Sequence, residues 1–340
     1  MFNTYLIVTT LKNTFDYLKN SLLVSKRWKL TSLIGKGSFG TVYKGYDALL
    51  KNNNYVAIKF EKLNRSYSQL INEGKILNIL KGIPGIPIVY YYGIYNEYYY
   101  CLVIELLGKN LDEVFNICNR NFTLYTGLII IDNVLTLLEH IHARFIVHRD
   151  IKPQNIMFGL SDVFTKFYMI DFGLSKQFRD DLSYNIIKYR ENKKWMGTVR
   201  FASIGTHLGL EQSYRDDLES LGYTIIYLLK GKLPWQCLKI NDKNEKHDRI
   251  RDIKISMSMD FLTKNLPVEF KEYFTYFKQL NFFESPNYSY LRLLFRRVFI
   301  REKFFKNQYS LSWIEHDKTQ KDAGKSQKEL FENYSILKSD

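Results

Sequence analysis

Cysteine is scarce in this chain: Cys101, Cys118 and Cys237 are the three among 340 residues. They are odd in number and far apart, so they form neither a disulfide framework nor a paired metal-ligand motif. A reducing compartment is the simpler setting, with all three thiols buried and neutral. No stretch approaches about 18 consecutive apolar residues, so no membrane span is expected. The opening residues hold the apolar Tyr5-Leu-Ile-Val8 without a basic segment before it, unlike a secretory signal. Neither a glycine at position two nor a C-terminal cysteine box marks a lipid anchor. Internal repeats and long low-complexity runs are lacking as well.

Acidic residues are in deficit. Asp and Glu number 35 against 49 Lys and Arg, a formal net charge of +14. Such a surface attracts nucleic acid, headgroups or acidic proteins, and charge alone does not choose among them. Tyr and Phe number 26 and 24, yet no compact RNA-binding motif accompanies them, so they are read as packing material. Hydrophobic residues at 46% and charged residues at 25% are ordinary for a globular protein with a sizeable core. The length allows one large domain or two small lobes.

The pattern along the chain changes character partway. Residues 1–26 form a leader in which Leu11, Phe15, Leu18 and Leu22 recur at helical spacing, predicting an amphipathic helix from about Lys12 to Leu23. Its apolar stripe suits packing on the adjacent lobe better than docking to a partner or membrane, because few basic residues flank it. From Trp28 to about Glu105 strand patterns surround one helix, Ser68 to Leu80, with strands at Tyr55–Phe60, Val89–Tyr92 and Tyr99–Ile104. From Leu106 helical patterns dominate, with long helices over Thr123–Ala143 and Asp217–Lys230. The expected fold is α+β and bilobal: a β-rich N-lobe (27–105) with one main helix and a mainly α-helical C-lobe (106–314), with a ligand cleft between them. Residues 315–340 read as a short polar tail, loose or briefly helical.

Four motifs follow one another in fixed order: Gly35-Lys-Gly-Ser-Phe-Gly40, Val56-Ala-Ile-Lys59, His148-Arg-Asp-Ile-Lys-Pro-Gln-Asn155 and Asp171-Phe-Gly173. Each alone is weak, but together they resemble the protein-kinase signature set. The chemistry this implies is transfer of the ATP γ-phosphoryl group to a protein hydroxyl. Gly35, Gly37 and Gly40 let a hairpin backbone approach phosphates, between Ile34 and Val42, which would cap the adenine. Ala57, Glu105 and Leu107 complete the expected nucleotide-binding set. Lys59 suits the α- and β-phosphates, and Glu73 on the next helix is the chosen ion-pair partner. Glu61, nearer in the chain, is set aside on the expectation that it points to the other face of its strand. Asp150 suits the general base and Lys152 the transferring charge. Asn155 and Asp171 offer oxygens to Mg2+.

On motifs concentrated in its second half, the chain resembles the casein kinase 1 family over about Trp28 to Trp313. The Ala-Pro-Glu triplet that usually closes the activation segment is missing. In its place runs Tyr189-Arg-Glu-Asn-Lys-Lys-Trp-Met-Gly-Thr-Val-Arg-Phe-Ala-Ser-Ile-Gly-Thr-His-Leu-Gly-Leu-Glu-Gln-Ser213, followed by Arg215-Asp-Asp-Leu-Glu-Ser-Leu-Gly-Tyr223 and Leu233-Pro-Trp-Gln236. Glu105-Leu-Leu-Gly108 and Pro286-Asn-Tyr-Ser-Tyr-Leu-Arg292 add to the likeness. The resemblance implies a monomeric serine/threonine kinase for acidic or phospho-primed substrates, working in the cytoplasm and also the nucleus. Arg200, Lys246, Arg190 and Lys193 are the candidate anion site, since guanidinium and ammonium groups bind phosphate by charge-assisted hydrogen bonds. For Arg190 and Lys193 an internal salt-bridge set that folds the loop competes with this role. Gln154, Gly205, Met196 and Cys237 depart from the family's usual acid, Asn, Thr and Gly. The competing readings are an ATP-binding, catalytically weak kinase-fold scaffold and a nucleic-acid binder. The intact Lys59, Asp150, Asn155 and Asp171 weigh against the first, and only net charge favours the second.

Overall fold

The computed structural model describes residues 23–37, 40–50, 54–63, 68–160, 166–179, 185–306 and 309–322. The helix expected over Lys12 to Leu23 lies outside them except for its last residue. Contacts divide the chain into two compact units. One is Met1–Gly108 with Asp171–Leu174, and the other is Lys109–Ile170 with Ser175–Asp340. Sheet dominates the first and helix the second, a mixed α+β architecture.

The first unit is built on an antiparallel sheet of β1 (Trp28–Gly37), β2 (Gly40–Asp47), β3 (Tyr55–Lys62), β4 (Val89–Tyr95) and β5 (Tyr99–Glu105), in the order β1-β2-β3-β5-β4. Side chains alternate between its faces. Val56, Ile58 and Phe60 of β3 join Trp28, Tyr43, Cys101 and Val103 in one core, reinforced by an edge-to-face contact between Tyr43 and Phe60. The other face carries Ala57 and Lys59. Helix α1 (Gln69–Ile79) packs on β4, β5 and the Phe172–Leu174 turn. Its N-cap is Ser68, whose hydroxyl accepts Ile71 N at 3.1 Å.

The second unit opens with α2 (Leu111–Ile117), started by an Asn110–Glu113 capping box, and α3 (Leu124–His142), capped by Thr123. By length and composition α3 is long and apolar enough to cross a membrane, but over half of it is buried in this unit. It is the core helix here, packed on the helices Tyr214–Lys230 and Tyr288–Arg301. Two small ribbons follow, β6 (Ile146–Val147) with β9 (Lys176–Gln177), and β7 (Ile156–Phe158) with β8 (Phe167–Met169). Then come α4 (Ile204–His207), α5 (Tyr214–Lys230), α6 (Lys243–Ser256), α7 (Met259–Leu262), α8 (Val268–Gln279), α9 (Tyr288–Arg301) and α10 (Ser312–Asp322).

Helix α5 starts at Tyr214, three residues before the expected Asp217. The Asp216 carboxylate reaches back to Ser213 N at 2.8 Å and so nucleates an earlier first turn. At the other end, the boundary expected at residue 314 falls inside α10. Trp313 is buried there against Phe122 and Phe158. Cysteine burial is corrected at one position. Cys101 and Cys118 are buried, whereas Cys237, in the loop ahead of α6, is exposed.

Candidate active site

In the sheet unit, cross-strand register gathers the nucleotide candidates. Gly35 stands opposite Val42, Val42 opposite Lys59, and Lys59 opposite Leu102, while Ala57 faces Ile104. Gly40 has φ +138°, and a Cβ there would lie 1.9 Å from Phe60 O, so only glycine fits. Ser38 and Phe39, at the tip of the hairpin, lie outside the described residues, and Gly37 pairs with Gly40 at its base. Ile34 is half exposed on β1, whereas Leu107 is buried just past β5. The Glu105 carboxylate accepts Ile88 N at 3.2 Å, and its own amide donates to Ile88 O.

Lys59 Nζ lies 2.6 Å from Glu73 Oε1 on α1. Burial pulls the ammonium pKa down, but the carboxylates of Glu73 and Asp171 outweigh it and leave it raised. Burial leaves Glu73 raised as well, against the pull of Lys59. The Asp171 backbone N–H donates to Glu73, and Asp171 holds a left-handed φ of +67°. Asn72 on α1 donates to Gly173 O at 3.2 Å, tying the Asp-Phe-Gly turn to the helix that carries Glu73. Glu61, two residues from Lys59, shares its strand face, so alternation is not what removes it. Its carboxylate is instead engaged at the start of α1, by Ser68 Oγ at 2.9 Å and Leu70 N at 2.7 Å.

In the helical unit, Lys152 Nζ bridges Asp150 Oδ2 at 2.6 Å and Thr198 Oγ1 at 3.0 Å. Asn155 Nδ2 donates to Asp150 O at 2.9 Å and approaches Asp150 Oδ2 at 3.3 Å. The amide nitrogen is thus engaged with Asp150, and Asn155 Oδ1 is the atom able to serve a cation. Residue type fits a hard divalent ion at Asn155 and at Asp171, since each offers oxygen. Behind the loop, the buried Asp217 carboxylate accepts His148 N at 2.7 Å and Arg149 N at 2.8 Å, and contacts His142 Nε2 at 2.9 Å. The other nitrogen of His142 meets the Tyr288 hydroxyl.

The anion candidates separate. Lys193 pairs with Glu211 at 3.3 Å, beside Lys176 at 2.9 Å. Lys193 is thus engaged in the internal salt-bridge set weighed for it, and two ammoniums on one carboxylate leave the cluster cationic. Burial raises the Glu211 pKa, but Lys176 and Lys193 together bring it below its usual value. Arg190 is exposed, and its carbonyl accepts Glu211 N at 2.8 Å. Arg200 lies over the rings of Phe201 and Tyr227, 5.7 Å from each centroid, and makes no ion pair among the described residues. Lys246 is partly exposed on α6.

Sequence reasoning missed Thr198, Lys176, His142 and Tyr288, and treated Asp217 as an ordinary helix start. Thr198 and Lys176 stand inside or just after quoted motifs and were open to notice. The Asp217–His142–Tyr288 chain joins residues remote in sequence, and no spacing signals it.

A strand lysine held by a helix carboxylate, together with an aspartate–lysine–asparagine loop, is the equipment of a phosphotransferase. The chain belongs to the protein kinase family: the sequence model of the protein kinase domain matches residues 28–287. Proteins as substrates, ATP as donor and a divalent metal follow from that membership.

Proposed function

We propose that this kinase is of the casein kinase 1 type and phosphorylates serine or threonine in acidic or already phosphorylated proteins. The observation that carries the hydroxyl specificity is Lys152 Nζ shared between Asp150 Oδ2 and Thr198 Oγ1. A lysine two residues after the base resembles serine/threonine kinases. Asp150 takes the proton of the substrate hydroxyl as its oxygen attacks the γ-phosphorus, the bond to the β-bridging oxygen breaks, and ADP leaves. Lys152 offsets the charge on the moving phosphoryl group. Lys59, kept in place by Glu73, holds the α- and β-phosphates. Asn155 and Asp171 each supply an oxygen to Mg2+, which when bound neutralises phosphate charge. Arg200 and Lys246 read the acidic or phosphorylated residue of the substrate.

The test is transfer from labelled ATP with Mg2+ to matched primed and unprimed peptides, with Asp171→Asn as control. Transfer that favours the primed peptide and disappears in the control is the expected result. No transfer from a well-folded sample replaces this reading with the ATP-binding scaffold. Equal transfer to both peptides removes the phosphate-reading role and keeps the kinase.

A further inference from the structure

With Ala-Pro-Glu missing, the backbone around Arg200 is held by side chains from elsewhere in the helical unit. Lys254, on α6, is 1% exposed. Its Nζ donates to Val199 O at 3.0 Å and Ala202 O at 2.6 Å, and lies 3.2 Å from His207 Nε2. Those three partners use all the hydrogens of an ammonium. In its ammonium form Lys254 only donates, so His207 Nε2 is then the acceptor and its ring is neutral. Burial and the adjacent ammonium accordingly push the His207 pKa down to about 3. The rings of Tyr223 and Trp235 flank the Lys254 ammonium, with centroids at 4.8 and 5.0 Å. The Trp235 indole donates to Arg200 O at 2.8 Å, between the two carbonyls that Lys254 holds. Ile204 N, just beyond, donates to Glu219 Oε1 at 3.0 Å.

The energetics make this more than packing. Burying an ammonium is costly, and an apolar side chain of similar volume would often be more stable. Burial lowers the Lys254 pKa to about 7, with Glu219 opposing the shift. The group that bears this cost spans two carbonyls on either side of Arg200. It also ties that segment to α6, the helix that carries Lys246. With residues 199–202 fixed, Arg200 has only its side-chain torsions left to order on meeting an anion, which lowers the cost of binding.

We propose that Lys254 and Trp235 form a clasp on the carbonyls of Val199, Arg200 and Ala202 that aims the Arg200 guanidinium at substrate phosphate. Lys254 is thus a positioning residue, and the inference rests on the reading of Arg200 given above. Nothing about the phosphoryl transfer step itself changes; what the clasp sets is selectivity between primed and unprimed peptides.

The test is a double-mutant cycle of Arg200→Ala and Lys254→Met, read as kcat/KM on matched primed and unprimed peptides. Lys254→Met is expected to lower the primed-to-unprimed ratio by about tenfold, the scale of one charge-assisted contact. In the Arg200→Ala background it is expected to lower the ratio no further, because the two residues act as one device. A merely structural lysine would depress both peptides alike, and that outcome overturns the proposal. Should Lys254→Met fail to fold, Trp235→Phe decides. It keeps a ring and removes one N–H, and a ratio unchanged from wild type, with Arg200→Ala still effective, sinks the clasp. If Arg200→Ala itself leaves the ratio unchanged, the phosphate-reading role of Arg200 fails first and the clasp has no anion to serve.

Discussion

Asp217 Oδ2 and His142 Nε2 lie 2.9 Å apart in the buried centre of the helical unit, and the same carboxylate holds the backbone of the loop that leads to Asp150. Arg149, the residue before Asp150, has φ +69°, a conformation that non-glycine residues adopt only when their surroundings impose it. The two backbone hydrogen bonds to Asp217 are that imposition. Asp217→Asn turns one acceptor oxygen into a donor facing other donors. It is expected to cost about 3 kcal/mol of stability and to lower kcat more than the KM for ATP. Denaturant unfolding with steady-state kinetics checks both, and near wild-type values on each would refute the role.

The same residue sets a pH signature. Burial alone would raise the Asp217 pKa, but hydrogen bonds from His142 and the His148 backbone and the nearby histidine charges leave it lowered. A carboxylate depressed in the folded state stabilises the protein above its unfolded pKa, about 4, and that contribution is lost as pH falls through the folded value. The stability gap between wild type and Asp217→Asn should therefore narrow on acidification below about pH 4. A gap that is constant across the acid range would show that the carboxylate charge is not what matters.

Lys59→Met should abolish phosphate transfer and leave a folded protein. Removing the ammonium strands Glu73 in a buried place where its pKa is already raised, so Glu73 takes up a proton rather than unfolding its helix. The loss in turnover should be on the order of 10²-fold or more, the scale of removing one preorganised electrostatic contact. Circular dichroism and turnover are measured together. Unchanged turnover, or loss of fold at the same rate as loss of activity, would contradict the assignment.

Gly205 stands where the casein kinase 1 resemblance would place Asn, and the structure supplies a physical consequence. A Cβ at this position would lie 2.8 Å from Asp216 Oδ1. That oxygen is not free to swing away, since Ser203 Oγ donates to it at 2.5 Å and its partner oxygen takes Ser213 N at 2.8 Å. Burial raises the Asp216 pKa to about 6, so a further disturbance falls on a carboxylate already costly to keep charged. Gly205→Asn is expected to destabilise the helical unit by about 1–3 kcal/mol, read from the denaturation midpoint. A variant as stable as wild type would mean that the Asp216 network can rearrange.

What could be read from sequence follows the range of the interactions. The sheet pattern, α1 and the long helix α3 are set by local spacing and were legible, although Ser68, read as the first residue of α1, proves to be its N-cap. The Lys59, Asp150, Asn155 and Asp171 motifs stand out in sequence because phosphate chemistry fixes residue type at fixed spacing, and the structure pairs Lys59 with Glu73 and Asp150 with Lys152 and Asn155. The start of α5 was missed by three residues because the decisive contact is the Asp216 carboxylate folding back on Ser213 N, not the hydrophobic pattern. Lys254 carries no signal in sequence: on a polar helix it reads as one more solvated lysine among many. Its role exists only where α6 meets the carbonyls of Val199 and Ala202.

Thiol reactivity should separate the cysteines as burial does. Cys101 on β5 has no exposed surface, Cys118 has little, and burial pushes both thiols up to about 12. At pH 8 each is then thiolate in roughly one molecule in 10⁴, and the thiolate is the nucleophile. Cys237 is exposed, two residues after the Trp235 that bonds Arg200 O. A disulfide-exchange reagent at pH 8 should therefore titrate one thiol in the native protein and three after denaturation, and Cys237→Ser should remove the native reaction entirely. Residue 237 is two positions from the indole that bonds Arg200 O, so labelled protein should lose transfer to the primed peptide more than to the unprimed one. Rapid native labelling of a second thiol would show that the β5 core or the α2 terminus opens far more readily than its packing implies. Equal loss on both peptides would separate Cys237 from the phosphate-reading surface.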